Sequence, residues 1–335
     1  MNVLIRVLLL FKIILLVSGS RCARDHNAAR RSNIHSEKVE TSTNTSANYT
    51  NFNPTKHPNW QLFDHTICGN SLADRIIGGI NATLGQYPWI ARIGYNSTIN
   101  VTAKPVFRCG ASLINANYVL TAAHCVTNLP NQLKVAIVKL GEFDITKNID
   151  CEFGECADKP QDIKPSEILV HHKYGSPPFQ NDIALIRLQK PAKFTKWVLP
   201  VCLPHGALMA KSFLSEFGEV IGWGYFDISK SVGSDVLQTV KLPVINNTRC
   251  RRAFRTIRIS DEKQMCVGGE KGKDSCNGDS GGPMLKAEVV NGPPRYYQIA
   301  VVSFGARNCG GTSTPGVYTR VVYYMSWILD NIKTR

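Results

Sequence analysis

Three short islands in this 335-residue chain hold residue types that could together open an acyl bond. They are Thr121-Ala122-Ala123-His124-Cys125, Asn181-Asp182-Ile183-Ala184-Leu185 and Gly278-Asp279-Ser280-Gly281-Gly282-Pro283. A serine hydroxyl is a weak nucleophile until an imidazole takes its proton. The imidazole needs a carboxylate that holds its tautomer and stabilises the imidazolium. Ser280, His124 and Asp182 supply those three roles. The glycines around Ser280 suit the same chemistry. An oxyanion forming on the attacked carbonyl needs backbone N–H donors, and Gly278 and Ser280 are placed to offer two with no side chain intruding. Each such donor contributes about 3 kcal/mol to the transition state.

The chain order His, Asp, Ser separates this set from subtilisin-like and α/β-hydrolase arrangements. With these islands, residues 68–335 resemble the chymotrypsin-like (trypsin-fold) serine proteases. The resemblance implies an all-β fold of two six-stranded antiparallel β-barrels with a C-terminal helix, and acyl-enzyme catalysis with no cofactor. It also implies a specificity. Asp274, six residues before Ser280, matches the pocket-floor carboxylate of trypsin-like members, which would pair with a substrate Arg or Lys. Gly305 and Gly316 match pocket walls left open by their missing side chains. Ser303 matches the residue that supports Asp182 and binds the substrate backbone. Phe304 stands where the family usually has Trp, and Asn277 where Gln is common. Pro315 matches members that bind no sodium beside the pocket.

Asp74-Arg75-Ile76-Ile77-Gly78-Gly79 resembles the family's activation site. Cleavage after Arg75 would free an ammonium on Ile76 that could bury against Asp279 and order the oxyanion loop. An Arg at the cut implies an upstream activator that is itself trypsin-like. Beyond Cys22 there are ten cysteines, which on arithmetic alone admit about 945 pairings. The resemblance implies Cys109–Cys125, Cys250–Cys266 and Cys276–Cys309. It also implies Cys68–Cys202, which would tether the segment before the cut and so favour a regulatory protease over a digestive one. A further close pair, Cys151 and Cys156, is similar to the catalytic half of arthropod clip-domain proteases of clotting, melanisation and Toll-type cascades. Residues 23–67 contain no cysteine, so the six-cysteine clip module has no counterpart there.

These groups need elements to position them. Tyr118–Thr121, Val135–Leu140, Ile183–Leu188 and Ile299–Phe304 are short β-rich runs between Gly, Pro and Asn turns, which predicts an all-β sandwich or barrel. Met325, Ile328, Leu329 and Ile332 keep helical spacing and predict a C-terminal helix. The first 20 residues, with Arg6 and Lys12 around an apolar run, read as a secretory signal peptide. The run is too short and too interrupted to span a membrane. Residues 21–75 then form a prosegment or light chain, flexible over about 21–66 because the polar run 41–51 cannot offset its backbone entropy. The protease domain would be 76–335. Secretion agrees with the cysteines and with sequons at Asn44, Asn48, Asn81, Asn96, Asn100 and Asn246. Cys22 lies beside the expected signal cleavage, so its retention decides whether one thiol is left over.

The chain is 43% hydrophobic, which excludes wholesale disorder, and its formal net charge is +14. Residues 76–335 hold 30 of the 39 basic and 20 of the 25 acidic residues, so the excess belongs to the protease half. Arg249, Arg251, Arg252, Arg255 and Arg258, interleaved with Ala253, Phe254 and Ile257, predict a short amphipathic helix with its arginines outside. It would be either a solvated basic face or an exosite for an acidic substrate segment or a sulfated glycan. No nucleic-acid-binding motif accompanies the charge. Glu142, Asp144, Glu152 and Glu155 could donate oxygens to a structural calcium ion, or form a solvated acidic loop. The reading that results is a secreted serine endopeptidase zymogen cutting protein substrates after Arg or Lys in an extracellular cascade, with a serpin-type inhibitor among its expected partners. A digestive trypsin, a non-catalytic protease-like scaffold and a glycan-binding protein are the alternatives.

Overall fold

The first half of the described chain curls one antiparallel ladder around an apolar centre. Its strands are β1 (Ile90–Ser97), β2 (Val106–Asn115), β3 (Tyr118–Thr121), β4 (Leu133–Leu140), the small hairpin β5 (Cys151–Glu152) and β6 (Glu155–Cys156), β7 (Gln161–Ile163), β8 (Pro165–Val170) and β9 (Ala184–Leu188). The main sheet runs β7-β4-β1-β2-β3-β9-β8. Its two outermost segments are neighbours in sequence, separated by Lys164 alone. The stretch 161–170 pairs with β4 at Val138–Ile163 and with β9 at Leu169–Leu185. A single bent strand thus supplies both ends, which gives the expected six-stranded barrel as seven ladder segments. Pro165, unable to donate to a ladder, sits at the bend. Ile93, Leu113, Leu120, Leu140 and Ile163 are fully buried inside.

The second half comprises β10 (Phe217–Gly222), the hairpin β11 (Tyr225–Asp227) and β12 (Val232–Gly233), β13 (Gln238–Ile245), β14 (Gln264–Gly268), β15 (Pro283–Glu288), β16 (Arg295–Phe304) and β17 (Pro315–Arg320). Six of these close a barrel in the order β10-β13-β14-β17-β16-β15. Val220, Leu242, Met265, Met284 and Tyr318 fill it.

Two short helices flank the barrels. In the C-terminal one (Met325–Asn331), Met325, Ile328 and Leu329 are buried, with Ile332 just beyond, in the same apolar cluster as the first barrel. This is the predicted helix. The other, α1 (Asn247–Ala253), corrects the expectation of one helix through Arg258: it stops at Ala253, and Phe254 leaves helical geometry. Asn246 caps its start through a bond from Thr248 N. At its end Phe254 and Ile257 turn inward to a small cluster around Cys250 and Ile259. That burial competes with continuing the helix.

The structure, a computed structural model, describes residues 51–72, 81–99, 102–130, 132–227, 232–272, 275–276, 278–306 and 309–334. The expected signal peptide, Cys22, Arg75, Ile76, Asp274, Asn277 and the sequons at Asn44, Asn48 and Asn100 lie outside them. Residues 52–69 depart from the flexible segment predicted up to Thr66. Pro54–Lys56 and Pro58–Leu62 form two 3-10 turns capped by Asn53 and His57. Asn59 Nδ2 donates to Leu329 O and Ile332 O, and His57 Nε2 meets Asp330 at 3.1 Å. Trp60, Leu62 and Phe63 supply the apolar contact that the neighbouring polar run lacks.

Candidate active site

Strand pairing explains why two distant islands meet. β3 and β9 are antiparallel, with Thr121 opposite Ala184. His124, three residues past Thr121, therefore arrives beside Asp182, two residues before Ala184. His124 Nδ1 lies 2.8 Å from Asp182 Oδ2, and Asp182 Oδ1 accepts the His124 backbone N–H at 2.9 Å. Ser303 Oγ donates to Asp182 Oδ2 at 2.5 Å, and Thr319 Oγ1 donates to the Asp182 carbonyl at 2.8 Å. The preceding residue, Asn181, takes a positive φ of 56° and is buried. It is held there by Tyr324 OH on its Oδ1 and by its own bonds to Lys173 O and Ser176 O. Thr319, Tyr324 and the left-handed Asn181 were not singled out from sequence. Only Asn181, adjoining Asp182 and of a type that tolerates this conformation, carried a local signal.

The electrostatics of the pair favour a working base. Burial alone would lower the His124 pKa, but the hydrogen bond and negative charge of Asp182 outweigh it and raise the value above 6.5. With Nδ1–H directed at Asp182, Nε2 is left to accept a proton.

Ser280 lies just before β15 of the second barrel, and its carbonyl is 3.5 Å from the sulfur of Cys125, the residue after His124. Gly110 N on β2 donates to Ser280 O at 2.8 Å, and Gly281 N donates to Val302 O at 2.9 Å, so the loop is pinned to both barrels. Gly281 has φ +77°, and a Cβ there would collide with Thr121 Oγ1 and Gly110 O. Asp279 N is bonded to Cys276 O. By contrast, neither Gly278 N nor Ser280 N has a hydrogen-bond partner among the described residues. Two unused donors, one on each side of a used one, suit an oxyanion. No hydrogen bond joins Ser280 Oγ to His124 Nε2 among the described residues; catalytic hydrogen bonds are often long without substrate and tighten when it binds.

The Asp279 carboxylate is bonded within its own loop and to the segment after β10. It accepts Gly224 N and Cys276 N at 2.8 Å each. A Cβ at Gly222 or Gly224 would collide with it, so these two glycines make its room. Burial pushes its pKa up to about 6 despite the two N–H bonds. Among the described residues no cation pairs with it.

Gly305 and Gly316, the expected pocket walls, lie next to each other. A Cβ on Gly305 would come within 3.6 Å of Gly316 Cα, and one on Gly316 within 3.0 Å of Tyr318 Cε2. Ser275, which follows Asp274 in the chain, has its Oγ 2.7 Å from Tyr318 OH. Phe304 packs against Phe179 and Phe254, with ring centroids 5.1 and 5.4 Å away.

All five disulfides form: Cys68–Cys202, Cys109–Cys125, Cys151–Cys156, Cys250–Cys266 and Cys276–Cys309. The sulfurs beside His124 are therefore bonded to each other and offer no metal-binding thiolate. Among the described residues no three of the calcium candidates place ligand atoms within 4.8 Å of one another. Asp144 is occupied by Thr146 and Lys147, Glu152 accepts Leu84 N, and Glu155 pairs with Lys196. Glu142 Oε1 is buried without a partner. Of the described sequons, Asn81 and Asn246 are exposed and Asn96 is half-buried. No helix among the described residues is long and apolar enough to cross a membrane.

The comparisons with known proteins agree with this geometry. The trypsin family model matches residues 76–328. The clip-domain serine protease HP8 of Bombyx mori is 38% identical over 85% of this chain and 75% of its own length. Melanization protease 1 of Drosophila melanogaster is 39% identical over 84% of this chain and 71% of its own. A crystal structure of the Drosophila Grass clip serine protease of the Toll pathway has a TM-score of 0.69 at 34% identity, covering 80% of this chain and 74% of that one. With its fold, its His–Asp pair and its glycine-lined nucleophile loop in place, the chain belongs to the trypsin family of serine proteases.

Proposed function

We propose that this chain is a secreted serine endopeptidase zymogen, converted by cleavage after Arg75 into an enzyme that hydrolyses protein substrates after Arg or Lys in an extracellular proteolytic cascade. The observation that carries the reading is the relay Ser303–Asp182–His124, ending beside a Ser280 loop with two unused N–H donors. In this reading Ser280 Oγ attacks the scissile carbonyl carbon while Nε2 of His124 takes its proton. The carbonyl oxygen becomes an oxyanion between Gly278 N and Ser280 N. As the C–N bond breaks, Nε2 returns the proton to the leaving amine, and an ester to Ser280 remains. Water, activated by the same imidazole, then releases the acid. No step calls for a cofactor.

Asp274 would close the floor of the Gly305–Gly316 slot and select a cationic side chain. Asp279, buried with no described cation, would take the Ile76 ammonium released by a trypsin-like activator. The Cys68–Cys202 bridge would keep the light chain attached afterwards, which favours a regulated protease over a digestive one. Relatives named for melanisation and for Spaetzle processing support the cascade, the latter 35% identical over 80% of this chain. A serpin-type inhibitor and N-glycans at the exposed Asn81 and Asn246 complete the proposal. The test is to cut the purified chain after Arg75 and assay peptide esters ending in Arg, Lys and Phe. Turnover of Arg and Lys esters is expected. No turnover, or preference for Phe, would refute it.

A further inference from the structure

The cations around α1 are not one solvated helix face. Asp261 neutralises Arg251 at 2.8 Å, and Arg249 lies by Gly269. Arg255 and Arg258 follow the helix and are exposed, as is Lys173 in the loop between β8 and β9. None of these three forms an ion pair with a described residue.

Hydrogen bonds hold the two segments together. Gln180 Nε2 donates to Arg258 O and Gln264 Nε2 to Phe179 O, both at 3.0 Å. Asn181, beside the Asp182 carboxylate, donates to Lys173 O at 2.8 Å. Burial and then the positive charges of Lys173 and Arg258 push the Lys263 pKa down, as expected if the cations crowd one another. Holding unpaired like charges together costs free energy, which an anionic ligand would recover.

The same bonds join the cations to the cleft. Phe254 adjoins Arg255 in sequence, and Phe179 adjoins Gln180. Both rings meet Phe304, which follows Ser303. In the protease reading Ser303 binds the substrate backbone on the acyl side of the cleaved bond, so that part of the substrate would pass Phe304. We infer that Arg255, Arg258 and Lys173 bind carboxylates of an acidic segment lying on the acyl side of the cleaved bond in the protein substrate. Guanidinium groups suit this task, since each can hold a carboxylate through two parallel bonds. The inference rests on the Arg/Lys-protease reading and names its substrate class.

The test uses full-length protein cut after Arg75. Three fluorogenic amides are compared: a short Gly-Pro-Arg reporter, and the same end preceded by four Glu or by four Gln. At low ionic strength the Glu peptide should show about fivefold higher kcat/KM than the Gln peptide, as expected for two or three exposed charge pairs. At high salt that ratio should fall toward one. Arg255→Glu with Arg258→Glu should abolish the ratio. Lys134→Glu with Lys190→Glu, the same charge change on exposed lysines of the first barrel, should keep it. If the double arginine variant does not fold, the salt dependence of the unaltered protein still decides. A ratio near one with the short reporter hydrolysed overturns this inference and leaves the protease reading intact. Failure on the short reporter overturns the protease reading instead. Retention on heparin that needs Arg255 and Arg258, with a peptide ratio near one, would reassign the patch to a sulfated glycan and also overturn the inference.

Discussion

Ser303 Oγ and His124 Nδ1 converge on the same oxygen of Asp182, at 2.5 and 2.8 Å. The carboxylate is thus oriented from both barrels, since His124 follows a strand of the first and Ser303 lies on a strand of the second. Removing the hydroxyl in Ser303→Ala deletes one bond to a buried charge, worth about 1.5 kcal/mol. The expected result is a roughly tenfold lower kcat on a short Arg ester. An unchanged kcat would show that this bond does not matter to catalysis.

Asp182→Asn preserves size but removes the charge that selects the tautomer of His124. A fall in kcat of about four orders of magnitude is expected, as for the equivalent change in the family's template enzyme. Circular dichroism should stay native, because the bonds from His124 N and Thr319 Oγ1 can persist.

The pH profile follows from the raised pKa of His124. The base works only when neutral, so kcat/KM should fall as pH drops through a value above the ordinary 6.5. In Asp182→Asn, whatever activity remains should have its acid limb shifted to lower pH. Steady-state kinetics over pH 5 to 9 check both.

Asp279 predicts a difference between uncut and cut protein. Its folded pKa of about 6 exceeds the ordinary 3.8, so the folded uncut chain holds a proton that the unfolded chain has lost. Its stabilising contribution is full below about 3.8 and is lost as pH rises through about 6, a change of roughly 3 kcal/mol. A new ammonium on Ile76 would cancel the loss. The Tm of cut minus uncut protein should therefore grow as pH rises from 4 to 7. A difference independent of pH would contradict the pairing.

Residues 52–69 are held to the catalytic unit by more than the Cys68–Cys202 disulfide. Besides the bonds from Asn59 and His57, Arg295 Nη1 donates to His65 O and Cys68 O at 3.0 Å. With Cys68→Ser and Cys202→Ser, cut protein should separate into two chains on a denaturing gel without reductant. It should still run as one species in gel filtration, since residues 52–69 bury apolar surface against the catalytic unit.

Much of this arrangement was legible in the residues, and the gaps have physical reasons. Ser280, His124 and Asp182 stood out by residue type, chain order and the glycines beside Ser280, of which Gly281 cannot carry a Cβ. Ser303 was readable only through the family resemblance. Thr319 and Tyr324 left no local mark, because they act across 137 and 143 residues. The helix at Asn247 was predicted too long, since its periodic pattern continues while burial of Phe254 and Ile257 turns the chain. Residues 52–66 were read with the polar run before them, although Trp60 and Phe63 provide what that run lacks.

The most direct measurement is intact mass of cut protein mixed with an Arg ester and quenched in acid within one turnover. The account predicts one acyl group per molecule, mapped to Ser280 and absent in Ser280→Ala. Hydrolysis without an acylated Ser280, or equal hydrolysis by Ser280→Ala, would contradict it.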